Sequence, residues 1–186
     1  MKPTKAMLRG LAVAMIIVSS GLGACASGAR PEQMVASTTI APTQPGEPGY
    51  KQFRVAGAQG GSKTNPLWMS NVSNEEFAAA LESSLKATNY LADDPTQATT
   101  EVSANMVDLK RPMAGLDLSV TSQVRYSATK VNDGALIYDD TVAATGTGKM
   151  GDALIAVERL RIANEKSIQA NIEAFILRLR ETLRGS

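Results

Sequence analysis

Apolar and polar residues alternate with a period of two along the middle of the chain. Leu116, Leu118, Val120, Val124, Tyr126 and Ala128 are interleaved with Asp117, Ser119, Thr121, Gln123, Arg125 and Ser127. In a strand, successive side chains point to opposite faces, so this stretch predicts a strand with one buried and one wet face. Asn132-Asp133-Gly134 follows, a strong hairpin turn because these residues tolerate positive φ, and Leu136, Tyr138, Val142 and Ala144 give the returning strand. Gly146–Gly151 then reads as a loop. Upstream, Val102, Ala104 and Met106 alternate before the phase slips to Val107 and Leu109, which predicts a bulge in a strand over 101–109. Lys51–Ala56 places Phe53 and Val55 on one face and reads as a first strand.

Two stretches switch to helical spacing. Ser73-Asn74-Glu75-Glu76 is a capping box, with Val72 and Phe77 as its hydrophobic staple. Phe77, Ala80, Leu81, Ser84, Leu85 and Thr88 then mark a helix running to about Tyr90, before the turn at Asp93-Asp94-Pro95. A second helix is expected from an Asp152 cap to Arg184-Gly185, with Ile168, Ile172, Phe175, Ile176, Leu179 and Leu183 as its buried stripe. Traced backwards, that stripe lands on Glu165, Arg161 and Glu158, spaced for i,i+3 and i,i+4 ion pairs, while Leu154, Ile155, Leu160 and Ile162 point elsewhere. A continuous helix from Asp152 to Leu183 would be about 48 Å long, against about 19 Å for four strands side by side. A helix crossing such a sheet either overhangs it or breaks near Ala163-Asn164. Its N-terminal half, with Glu158, Arg159 and Arg161, is the expected docking surface for a partner. The order β-α-β-β-β-α implies an α+β domain: a four-stranded, mainly antiparallel sheet with two helices packed on one face.

The start of the chain is an address. Lys2, Lys5 and Arg9 precede an apolar run, Gly10–Val18, with no acidic residue before Cys25. These are the parts of a secretory signal, and the run is too short to span a bilayer, which takes roughly 20 residues. Leu22-Gly23-Ala24-Cys25 resembles the lipobox of bacterial lipoproteins. The resemblance implies that signal peptidase recognises Leu22, Gly23 and Ala24, and that Cys25 becomes the first mature residue, bearing several acyl chains such as palmitate. Two or more chains anchor stably where one does not. Ala26, rather than Asp, follows the cysteine; in lipoproteins of this type that implies the outer membrane, facing the periplasm. The expected organisation is a signal peptide over 1–24, lipidated Cys25 with a disordered Pro/Ser/Thr-rich tether over 25–49, and one domain over 50–186.

The domain's element order also resembles the small α/β domains of outer-membrane lipoproteins, including the lipopolysaccharide-assembly type. Asn65-Pro66-Leu67-Trp68 and Glu158–Glu165 resemble stretches of uncharacterised Gram-negative lipoproteins. Trp68, the sole Trp, is expected either to contact a partner or lid a site, or to cover the edge of the core.

Composition narrows the chemistry. The 186 residues hold no His and one Cys, which removes His-based triads and most zinc sites. Without Lys2, Lys5 and Arg9, 16 basic side chains face 18 acidic ones, a balance that argues against a nucleic-acid partner. An aromatic content of 4% predicts an aliphatic core. Gly57–Thr64 is one residue short of a phosphate-binding loop, with Ser62 in place of the second glycine. It runs into Asn65-Pro66, where the helix such a loop needs cannot start. Asp139 and Asp140 are strand neighbours and face opposite ways, so they make no acid pair. Glu75 and Glu76 suit a helix N-terminus. Ser83–Lys86 and Ser127–Lys130 have Ser-x-x-Lys spacing on a helix and a strand, without other catalytic groups. No cofactor or metal is expected. The reading is a non-catalytic, outer-membrane-anchored adaptor that binds another envelope protein. The alternatives are a carrier of lipid or a small ligand in a helix–sheet groove, or an envelope enzyme using carboxylates.

Overall fold

The computed structural model describes residues 27–63, 71–112 and 115–185. One sheet holds four strands in the order β1 (Phe53–Gln59), β2 (Thr100–Lys110), β3 (Leu118–Lys130) and β4 (Leu136–Gly148). Helix α2 (Asn74–Ala87) carries the chain from β1 to β2, which therefore pair parallel, as such a crossover requires. The two short connections that follow make β2–β3 and β3–β4 antiparallel. Helix α3 (Ala156–Gly185) and the single turn α1 (Pro31–Met34) complete the helical layer, with α1 against both longer helices. The α+β fold with a mainly antiparallel sheet is thus observed, with a third helix added.

Local chemistry sets the elements where it was strongest. The Ser73 side chain accepts from the Glu76 N–H at 3.1 Å, and the Glu76 carboxylate accepts from the Ser73 N–H at 2.8 Å. Both N-terminal donors are satisfied, so the helix starts there. Its apolar face, Phe77, Ala80, Leu81 and Leu85, is fully buried. The β2 register slips between Met106 and Asp108, where the alternation changes phase. Four of the aromatics gather at the centre of the core, and Phe53 and Tyr90 make a separate edge-on pair. Tyr126 stacks on Phe175 at 4.1 Å, and Phe77 and Tyr138 meet that pair edge-on.

Three expectations are corrected. The first concerns α3, which is one unbroken helix of 30 residues, about 45 Å long at 1.5 Å per residue. It runs along β4 instead of across the sheet: Gly148 lies under Arg159, Gly146 under Ala163 and Lys166, Val142 meets Asn171, and Tyr138 meets Phe175. A strand of 13 residues measures about 44 Å, so helix and strand match in length and no overhang arises. The second concerns Gly146–Gly148, which continue β4 and are not a loop. Asp152, for its part, lies ahead of the helix, accepting from Lys149 N–H at 3.0 Å and pairing with Lys166 at 2.8 Å.

The third correction concerns the tether. Residues 27–50 pack over the helices: Met34 is completely buried, and Ala29, Ala36, Ile40 and Thr43 nearly so. Their backbone is satisfied by distant groups. Ala36 N–H donates to Ser84 Oγ at 2.9 Å, Ser37 N–H to Glu173 at 2.7 Å, and Gln169 donates to the Val35 carbonyl at 2.8 Å. The folded unit therefore includes residues 27–50 and does not start near 50.

Candidate functional site

The residues expected to dock a partner sit at the start of α3, and their bonds are made within the chain. Arg161 pairs with Glu158 one turn before it and lies 3.7 Å from Glu165 one turn after it. Glu165 is 3% exposed and also takes the Arg30 guanidinium at 3.0 and 3.1 Å and the Arg30 N–H at 3.0 Å. Hydrogen bonding to Glu165 raises the pKa of Arg30 above its ordinary value. Arg159, 6% exposed, donates to the carbonyls of Ala153 and Leu154 at 2.9 and 2.8 Å, closing the loop before the helix. Arg161 also donates to Ser27 Oγ at 2.6 Å. Arg161 through Ser27 and Glu165 through Arg30 thus clasp the N-terminal segment onto α3, with Glu158 bracing Arg161, while Arg159 holds the preceding loop. Charge reversal there would break the clasp, so it does not isolate a docking surface.

The exposed surface that remains is sorted by position. Of the large apolar side chains exposed among the described residues, Leu116, Met150, Leu154 and Ile155 lie at the end of the sheet where α3 begins; Val131 and Leu136 lie at the other end, where it finishes. At that second end the β3–β4 turn, the Pro48–Gln52 turn and Leu183 enclose a cleft of about 740 Å³. Its walls include Val131, Ala135, Leu136 and Ile137, with one cation, Lys130, and no carboxylate. A cleft of this size and lining is within the usual range for binding sites.

The acid candidates separate as expected. Asp139 pairs with Arg125 on the open sheet face, and that guanidinium holds its carboxyl below the usual range. Asp140 turns the other way and pairs with Arg178 on α3 at 2.5 Å. Burial pushes the nearby Tyr138 phenol up to about 12. Ser83 and Lys86 are exposed on α2. Glu75 and Glu76 occupy the first turn of that helix, and Glu76 serves the capping box. Among the described residues no group of His, Cys, Asp and Glu could hold a metal ion.

One cluster was missed in the sequence. Ser122, Ser167 and Asn171 are completely buried between α3 and β3–β4. Ser122 N–H donates to Ser167 Oγ at 3.0 Å, Asn171 Nδ2 donates to the Val142 carbonyl at 2.9 Å, and Tyr126 Oη donates to Asn171 Oδ1 at 2.9 Å. The signal was present: Ser122 breaks the inward phase of β3, and Ser167 and Asn171 sit four residues apart beside the apolar stripe.

Cys25, with Leu22, Gly23 and Ala24, and Trp68 lie outside the described residues. No helix among the described residues is long and apolar enough to cross a membrane.

No protein-family model and no curated protein matches the chain. Solved structures do. Protein XCC0632 from Xanthomonas campestris, described under the family model DUF330, aligns over 81% of this chain and 96% of its own, with TM-score 0.56 and 9% identity. The hypothetical protein CT253 from Chlamydia trachomatis aligns over 72% and 98%, with TM-score 0.53 and 14% identity. A minor lipoprotein from Acinetobacter baumannii aligns over 73% and 92%, with TM-score 0.38 and 11% identity. At these identities the first two likenesses are likenesses of fold, and the neighbours include lipoproteins of Gram-negative bacteria.

Proposed function

We propose that the protein is a non-catalytic, lipid-anchored module of the outer membrane that faces the periplasm and binds another envelope protein through the apolar cleft. The cleft carries this reading. Its walls are mostly apolar, with Gln52, Thr99, Thr100 and Asn132 among them, its single charge is Lys130, and its rim exposes Val131 and Leu136. An apolar segment of a partner protein that bears a carboxylate matches that lining in both respects. The position of the cleft favours a protein over a lipid. Strands β3 and β4 run 13 residues between the clasp and the cleft, about 44 Å at strand rise. With the anchor at Cys25, two residues before Ser27, the cleft lies at the opposite end of the molecule from the lipid.

Detergent extraction and affinity purification of the full chain test this, with Leu136→Glu as the comparison. Leu136 is 61% exposed, so the variant is expected to melt like the wild type. A stoichiometric envelope protein should accompany the wild type and fall at least about tenfold with the variant, the effect of losing 1.4 kcal/mol of binding. Equal recovery with both chains, or no partner, contradicts the adaptor reading. Extractable lipid or a small molecule in place of a protein supports the carrier.

A further inference from the structure

The other end of the molecule has its own apolar surface. Leu154 is 87% exposed, Leu116 70%, Ile155 50% and Met150 47%. They come from two loops held together: the Met150 N–H donates to the Asp117 carboxylate at 2.8 Å, while Arg159 ties Ala153 and Leu154 back to the first turn of α3. Lys149 is exposed beside them. Isolated exposed apolar residues are ordinary on a protein surface, but a cluster of large ones is not.

The covalent chain says what lies next to this cluster. Ser27 is bonded to Arg161, and Ala29 and Arg30 are fixed by Asn71 and Glu165. Two residues extend at most about 7 Å, so Cys25 lies within that distance of Ser27. Arg161 is five residues into α3 from Ala156, the residue after Ile155, about 8 Å of helix rise. Without the long disordered tether expected from the sequence, a lipid on Cys25 has no slack. Its acyl chains enter the bilayer close to Ser27, at the same end of the molecule as the four apolar side chains.

We propose that Leu116, Met150, Leu154 and Ile155 form a membrane-contact surface, which enters the headgroup–acyl boundary beside the lipid on Cys25 and sets the molecule upright on the bilayer. The inference rests on the lipid anchor of the proposed function. An apolar surface held against lipid gains by burial at the boundary, and Lys149 adds attraction to anionic headgroups. The standing orientation carries the cleft to the side away from the membrane.

Depth-dependent quenching tests the proposal. The full chain is purified from membranes, with acylation verified by intact mass, and reconstituted into vesicles of phosphatidylethanolamine and phosphatidylglycerol containing nitroxide-labelled lipid. Cys25 offers no free thiol once acylated, so a polarity-sensitive fluorophore is attached at Leu154→Cys, or at Val131→Cys beside the cleft. The expected result is at least twofold stronger quenching and a blue-shifted emission at position 154, with neither at 131. Adding Ile155→Glu and Met150→Glu to the position-154 protein should reduce its quenching without changing its melting curve. Acylated protein with equal quenching at both positions overturns the membrane-contact surface and leaves the anchor standing. Protein without acyl mass overturns the anchor and this surface together.

Discussion

Gly146→Ala should cost the protein about 3 kcal/mol, a large loss for one methyl group. A Cβ at this position would lie 2.5 Å from the Ala163 carbonyl oxygen and 2.6 Å from the Lys166 carbonyl carbon, besides the Ser167 backbone nitrogen. All three belong to the backbone of α3, so no side chain can swing aside. The helix must lift from β4, and the contacts on either side of the glycine loosen with it: Ile168 and Ile172 towards the core, Arg159 towards the loop. Lifting α3 also pulls apart the buried bonds of Ser167 and Asn171. For a chain of this size the loss corresponds to a fall of about 6–12 °C in melting temperature. Gly151→Ala is the control, since its Cβ would meet nothing within 4 Å. Circular-dichroism melts of the two variants check the claim. Equal melting temperatures would mean that α3 is not seated on β4 as described.

Asn171→Ala is expected to cost about 3–4 kcal/mol, for a different reason. Its amide donates to the carbonyls of Val142 and Ser122, at 2.9 and 3.2 Å, and accepts from the Tyr126 hydroxyl at 2.9 Å. Truncation strands these groups where no water reaches, since Asn171, Ser122 and Tyr126 are all completely buried. A stranded buried polar group costs about 1–3 kcal/mol, which exceeds the value of the same bond made in water. Tyr126 is already held neutral by burial, which raises its phenol well above its ordinary range. Tyr126→Phe removes one stranded hydroxyl, so the double variant should lose less than the sum of the two single losses. Urea unfolding of the four proteins measures this. Strict additivity would show that Tyr126 and Asn171 do not share a bond.

These two sites also show where sequence reading stops. The capping box at Ser73–Glu76, the alternation of β3 and the bulge after Met106 were legible because each is set by neighbours a few residues away. Gly146 and Gly148 read as loop because glycine has no side chain to carry a phase. Their reason for being glycine is a helix backbone some 11–21 residues further on. The segment 27–50 read as disordered from its Pro, Ser and Thr, yet its backbone is paired by Glu173, Gln169 and Ser84, each far off in the chain. Glu158 and Arg161 were expected to pair along the helix, and they do. What the spacing could not show was Arg30, 135 residues from Glu165, completing the cluster. The cleft, too, is assembled from four separate parts of the chain, and none of them carries a motif.

The anchor is the reverse case: it is written in a single local motif, Leu22–Cys25, and both the orientation on the membrane and the outward placing of the cleft depend on it. Intact-mass measurement of the protein extracted from bacterial membranes tests it most directly. The expected mass is that of a chain beginning at Cys25 with several acyl groups, and Cys25→Ser should leave the uncleaved, unacylated precursor. A mature chain that begins at Cys25 without acyl mass, or one that retains residues 1–24, would contradict the account.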